Sequence, residues 1–201
     1  MYFSNINEIP RFITGFGAVL ISCFFLVAEG SEAKIIIASI YFIIACTVDT
    51  LLAKIPNSLN ASLTMLGLAL FFYTDGWSGL LASLTGLALG LSLLILPWLM
   101  GGMGAGDVKA LGALGALVGP RPLLHVFIYM GLIGGIMAVL HYLFARNLKE
   151  KAVEWLGAFK ATVLTNDPGM MIPTKTEPLR FPYAAAIAFG YYTYLTFGEV
   201  F

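Results

Sequence analysis

The sequence contains little charge. Only 11% of its 201 residues are charged, and its 11 basic side chains are balanced by 11 acidic ones. It has no basic surface of the kind that binds nucleic acid, so we expect no nucleic-acid partner. Hydrophobic residues make up 59% of the chain, which is too many for a soluble domain of this size. The composition therefore indicates a membrane protein.

Metal ligands and disulfide partners are also scarce. Cys23 and Cys46 both lie in apolar stretches without Cys-x-x-Cys spacing, and His125 and His141 lie near opposite ends of one apolar run. The sequence has neither the His-Glu-x-x-His motif of metalloproteases nor the Gly-x-Ser-x-Gly motif of serine hydrolases. We therefore expect no disulfide, no metal site and no cofactor.

The chain does contain a series of apolar runs, which we compare with the ~20 residues that a membrane helix needs. Seven runs are visible, at residues 12–29, 34–53, 60–74, 77–99, 107–119, 122–145 and 182–200. The third and fifth are short, as is acceptable for helices that pack inside a bundle. We expect one all-α, polytopic membrane domain over residues 1–201, with about seven transmembrane helices in the lipid bilayer.

The basic residues predict the orientation of these helices. If the N-terminus is inside, every Lys and Arg except Lys34 and Arg121 falls on the inner side, including Arg11. The positive-inside rule thus favours a cytoplasmic N-terminus and a multi-pass protein of the inner membrane.

One long connection, residues 146–181, separates the last two runs. Its first part, residues 147–165, places apolar side chains on one helical face and lysines and glutamates on the other. This pattern predicts an amphipathic helix along the inner leaflet, with a solvated tether as the alternative.

Two aspartates stand out because they lie within or against long apolar stretches. Asp49 is followed by Ile-Pro-Asn at residues 55–57, and Asp107 ends a Gly-Ala-Gly-Asp segment. An ionised carboxylate at membrane depth costs roughly 2.5–3.5 kcal/mol, so such residues indicate function. Two runs separate the aspartates, which places both on the cytoplasmic side.

Two carboxyl groups on one side suggest a hydrolase. If they approach each other, repulsion and low dielectric make them share one proton. The carboxylate can then activate a water molecule that attacks a peptide carbonyl, while the protonated partner donates to the carbonyl oxygen. Which of Asp49 and Asp107 plays which part stays open.

The residues around the aspartates have supporting roles. Gly104 and Gly106 allow an extended substrate backbone to approach Asp107. The alternative is a flexible turn in which Asp107 is merely a helix N-cap. Lys109 balances the local charge or extends to the interface.

Pro56 and Asn57 complete this set of supporting residues. Pro56 ends the second run, and Asn57 bonds its own turn, so that together they fix the exit of the helix that carries Asp49.

Both aspartate segments resemble those of the prepilin peptidases, or type IV leader peptidases, among the GxGD aspartyl proteases. In that family the first catalytic aspartate precedes Ile-Pro-Asn, and the second lies in Gly-x-Gly-Asp-Val-Lys, here residues 104–109. Residues 182–190, Pro-Tyr-Ala-Ala-Ala-Ile-Ala-Phe-Gly, are similar to the start of the family's last helix. The resemblance covers roughly residues 35–201.

The resemblance implies that Asp49 and Asp107 are catalytic. The implied substrate is a prepilin or pseudopilin helix, whose short basic leader is removed at the cytoplasmic face. The long members of the family carry an N-methyltransferase domain with paired Cys-x-x-Cys motifs, for which this chain has no room. It therefore resembles the short members of tight-adherence (Flp) pilus systems, and we expect no methylation.

Three other readings remain open. These are an archaeal-type preflagellin peptidase, a proton-coupled transporter that uses the two aspartates, and an idle assembly subunit of a pilus system. The particular prepilin, its cleavage position and the oligomeric state stay open as well.

Overall fold

The computed structural model describes residues 9–29, 31–144 and 182–200. Within these ranges all regular elements are α-helices, as the composition predicted. The predicted amphipathic helix at 147–165, and the whole connection 146–181, lie outside the described residues. The helices are α1 (Ile9–Ala28), α2 (Ala33–Leu52), α3 (Asn57–Leu99), α4 (Ala105–Val118), α5 (Pro120–Phe144) and α6 (Tyr183–Phe197).

Helix α3 is a hairpin of two arms. As a straight rod its 43 residues would be about 65 Å long. Gly76 interrupts the helix with φ 60° and ψ −136°. Gly67 before this break and Ser83 after it both contact Ala116 of α4, so the chain turns back at Gly76. The sequence predicted the two arms as separate runs, 60–74 and 77–99.

Four helices are long and apolar enough to cross a membrane, namely α1, α2, α3 and most of α5. Helices α4 and α6 have 14 and 15 residues, fewer than the ~20 that a span usually needs. The all-helical fold is thus confirmed, and the apolar helices indicate a membrane protein. The number of crossings and their orientation remain predictions.

Helix α4 lies at the centre of the bundle. Its residues 107–118 are buried, apart from exposed Lys109. Gly86 of α3 meets the backbone of Gly115 so closely that a Cβ atom has no room there. The Ser83 hydroxyl donates to the carbonyl of Ala116 at 2.6 Å. Small residues thus let α3 enclose a helix that is too short to cross a bilayer by itself.

An aromatic cluster holds α2 against α6. The Phe42 ring lies with its centroid 5.8 Å from that of Tyr191 and 5.9 Å from that of Tyr192. The Tyr192 hydroxyl also donates to the Ser39 hydroxyl at 3.0 Å. These contacts fix the end of α2 beside the start of α6, where the candidate site forms.

Candidate active site

Asp49 lies in the last turn of α2, and its side chain is only 6% exposed. Its Oδ2 accepts a hydrogen bond from the backbone N–H of Ala184 at 3.3 Å. Ala184 is the second residue of α6, so the carboxyl group lies at the partly positive N-terminal end of that helix. Helix α2 ends just beyond, at Leu52, and its C-cap residue Ala53 has the left-handed conformation with φ 52°.

Asp107 lies in the first turn of α4 and is 8% exposed. Its Oδ2 accepts the backbone N–H of Gly104 at 3.0 Å, and its own N–H donates to the Gly104 carbonyl at 3.1 Å. Gly104 is thus the N-cap, and Asp107 is the third helical residue. The alternative that Asp107 is the helix N-cap is therefore wrong. The N-cap is Gly104, and the Asp107 carboxyl group accepts a hydrogen bond from its backbone N–H.

The structure places both carboxyl groups at one end of the bundle, where the charge of Asp49 acts on the carboxyl group of Asp107. Two consecutive residues of α6 contact the surroundings of both aspartates. Ala184 donates to Asp49, and the Tyr183 hydroxyl donates to the Gly102 carbonyl in the loop before α4 at 2.5 Å. The start of α6 thus fixes the position of Asp49 relative to that loop.

Gly106 lies against the backbone of Ile55, which is the Ile of the Ile-Pro-Asn segment. A Cβ atom on Gly106 would lie 3.3 Å from the Ile55 carbonyl oxygen, which is tighter than ordinary van der Waals contact. At Gly104 a Cβ atom would lie 3.2 Å from Oδ2 of Asp107. The two sequence segments are therefore in direct contact at Gly106 and Ile55, and a side chain at either glycine would have to displace its neighbour by a few tenths of an ångström.

A buried chain of hydrogen bonds supports this contact. The Tyr41 hydroxyl of α2 donates to Oδ1 of Asn60 in α3 at 2.7 Å, and Nδ2 of Asn60 donates to the Gly106 carbonyl at 3.0 Å. Tyr41 and Asn60 are 4% and 3% exposed. The sequence analysis missed both residues. A polar Asn beside an apolar run was the available signal, because buried amides require partners.

Lys109 and Asn57 form another link between α4 and α3. The ammonium group of Lys109 donates to Oδ1 of Asn57 at 3.0 Å, and both side chains are exposed. The side chain of Asn57 thus accepts from α4, where the sequence predicted a bond to its own turn. Pro56 is the N-cap of the first arm of α3 and has the extended ψ of 136° that separates this arm from α2.

Arg11 is the most consequential residue that the sequence analysis did not assign to the site. It was counted among the inner-side charges, yet it is 4% exposed. Its Nη2 donates to the backbone carbonyl of Asp49 at 2.6 Å. An Arg directly before an apolar run is compatible with a water-facing position or a buried one, and sequence alone does not separate the two.

His125, one of the two histidines, packs inside the bundle. His125 is buried, its Nδ1 accepts the backbone N–H of Val200 at 3.1 Å, and its ring stacks on Tyr194. The side chain of His141 lies outside the described residues. Within residues 9–29, 31–144 and 182–200, no group of three or more His, Cys, Asp or Glu side chains could hold a metal ion.

The class of protein defined by this fold and site is a helical bundle with membrane-type apolar helices and two carboxyl groups buried at one end. The profile of the Type IV leader peptidase family matches residues 36–139, which is just over half of the chain. The chain therefore belongs to the type IV leader peptidase family, and this membership implies that it is a peptidase. No curated protein and no solved structure gives a significant match. The matched range contains Asp49 and Asp107, whereas Arg11 and α6 lie outside it.

Proposed function

We propose that this protein is an aspartyl endopeptidase that removes the short basic leader from prepilin or pseudopilin precursors. Cleavage takes place at the cytoplasmic face of the inner membrane, and Asp49 and Asp107 are the catalytic residues. The observation that supports this proposal is a pair of buried, interacting carboxyl groups in a chain of the type IV leader peptidase family.

The pair works with one shared proton, because two adjacent buried negative charges repel each other. The carboxylate takes a proton from a bound water, whose oxygen attacks the scissile carbonyl carbon. The other carboxyl group gives its proton to the carbonyl oxygen. When the tetrahedral intermediate collapses, the first group passes its proton to the leaving amine and the second recovers one from a diol hydroxyl. The pair returns to its starting state with one proton.

The loop before α4 offers a path for an extended leader. Gly101, Gly102 and Gly104 are exposed, so a peptide along this loop meets backbone groups at these three positions. The substrate's hydrophobic helix would remain in the bilayer while its leader reaches Asp107. Four residues join α1 to α2, and the proposed activity therefore includes no N-methyl transfer.

The test is co-expression of this chain with a Flp-type prepilin, followed by the size of the precursor. Asp49→Asn and Asp107→Asn should each abolish cleavage, because each removes one partner of the proton exchange, while both proteins still insert and accumulate. Asp75→Asn is the matched control, since Asp75 is an exposed acid beside the Gly76 break. It should cleave like the unaltered chain.

Two results would count against the proposal. Cleavage that survives in either Asn variant contradicts the two-carboxylate mechanism. An unaltered chain that inserts but leaves the precursor intact, across prepilins of several pilus types, contradicts the prepilin substrate class. A proton-coupled transporter would instead lose solute flux in the same variants.

A further inference from the structure

The buried guanidinium of Arg11 needs a negative partner. An arginine side chain stays protonated in proteins, and an isolated buried charge is strongly unfavourable. The hydrogen bond to the Asp49 carbonyl satisfies one N–H group but does not neutralise the charge. Because that carbonyl belongs to Asp49, the hydrogen bond holds the Arg11 charge beside the residue that carries the carboxyl group. The aspartate pair is therefore the natural source of the compensating negative charge.

The buried positive and negative charges at this end of the bundle are equal in number if the aspartate pair holds one proton. Among the described residues, the buried charged side chains here are Arg11, Asp49 and Asp107. Lys54 and Lys109 are exposed, so water and salt screen their charges. A singly protonated pair has one negative charge, which matches the one positive charge of Arg11.

The position of that negative charge follows from what differs between the two aspartates. Each accepts one backbone N–H at a helix N-terminus, Asp49 from Ala184 and Asp107 from Gly104. A helix N-terminus acts as roughly half a positive charge, so this feature is equivalent at the two sites. Arg11 donates a hydrogen bond to the backbone of Asp49, and among the described residues no such bond joins it to Asp107, so its full charge is held beside Asp49.

We infer that Arg11 is the counter-ion of the aspartate pair, and that it places the negative charge on Asp49 and the shared proton on Asp107. With the proposed function, on which this consequence rests, Asp49 is the general base and Asp107 the general acid. Arg11 is a positioning residue, since it acts through Asp49 and not on the substrate.

The other described groups around Asp49 provide no second positive charge that could replace Arg11. Helix α2 contributes the thiol of Cys46 and the phenol of Tyr41, both neutral groups at neutral pH. Helix α4 contributes Asp107, and α6 contributes the N–H of Ala184. Arg11 of α1 is the cation in this set.

The first test measures stability and needs no substrate. The unaltered full chain and its variants are reconstituted in nanodiscs and unfolded by heat. The variants are Arg11→Met, Asp49→Asn, Asp107→Asn and the two double variants that combine Arg11→Met with one aspartate change. Arg11→Met and Asp49→Asn should each lower Tm, and together they should lower it by less than the sum, because the second change removes a charge already left unpaired. Arg11→Met with Asp107→Asn should be close to additive.

The second test measures the pH dependence of prepilin cleavage. Arg11→Gln should move the acidic limb of the pH–rate profile upward by roughly one pH unit or more, because Asp49 loses the cation that stabilises its ionised form. Arg11→Lys keeps the charge and should leave the limb in place even if the rate falls. A purely structural Arg11 would lower the rate by the same factor at every pH.

The two tests separate the two proposals. Equal coupling of Arg11 to both aspartates, or an unmoved acidic limb in Arg11→Gln, overturns the assignment of the charge to Asp49. A chain that cleaves no prepilin overturns the proposed function, while the stability measurement still decides whether Arg11 and Asp49 are paired.

Discussion

At the scale of single residues, the two glycines before Asp107 have different tasks. Gly106 lies on the backbone of Ile55, and Gly104 lies beside the Asp107 carboxyl group and donates its N–H to it. The sequence predicted that both glycines let a substrate backbone approach Asp107, which stays a prediction. In the structure Gly104 has an ordinary φ of −81°, and the neighbouring atoms leave little room for a Cβ at either glycine.

Gly106→Ala should lower cleavage about tenfold while the protein still accumulates. The added methyl group pushes against the backbone of Ile55, which cannot rotate away, and so shifts Asp107 by a fraction of an ångström relative to Asp49. Rates of precursor cleavage in vesicles measure the effect. Gly131→Ala is the control, because among the described residues no atom lies within 4 Å of its added Cβ. Equal rates in the two variants would contradict this account.

At the scale of the elements, the start of α6 organises the site. Pro182 is its N-cap, Tyr183 reaches the loop before α4, and Ala184 donates to Asp49. The Pro-Tyr-Ala segment was recognised in the sequence by resemblance alone. Its physical role could not be predicted, because the contacts join residues 81 and 135 positions apart.

Tyr183→Phe should reduce cleavage about fivefold, which corresponds to the loss of one hydrogen bond worth about 1 kcal/mol. The change removes the donor to the Gly102 carbonyl and leaves the ring in place. Tyr129→Phe is the matched control, because its hydroxyl donates to the Gly198 carbonyl, at the other end of α6. The measurement is the initial cleavage rate of both variants in nanodiscs. A similar loss of rate in both would contradict a specific role of the Tyr183 hydroxyl at the site.

At the scale of the whole molecule, the bundle is built by enclosing α4. Helix positions were largely predictable, since apolar runs of sufficient length leave few alternatives. The seven runs lie close to the described helices, and the break in α3 at Gly76 falls between two of them. The contacts that Arg11, Tyr41 and Asn60 make were not predictable, because a hydropathy pattern does not say which helices are neighbours.

Gly86→Val should lower the free energy of unfolding by about 3 kcal/mol, the upper end for overpacking a tight contact. Its side chain would overlap the backbone of Gly115 and force α3 away from α4. Gly135→Val is the control, because within the described part of the chain its Cβ meets no atom within 4 Å. Thermal unfolding of both variants is measured in the same detergent. If both have the same Tm, the contact between α3 and α4 at Gly86 is not a source of stability.

The bond between Ala184 and Asp49 also has a consequence for biosynthesis. Arg11 leaves the ribosome early, Asp49 and Asp107 follow, and α6 is the last described helix to be made. A nascent chain that already contains both aspartates still lacks the amide that holds Asp49 and the phenol that holds the loop before α4. If Asp49 and Asp107 are catalytic as proposed, their surroundings are therefore complete only after α6 has joined the other described helices.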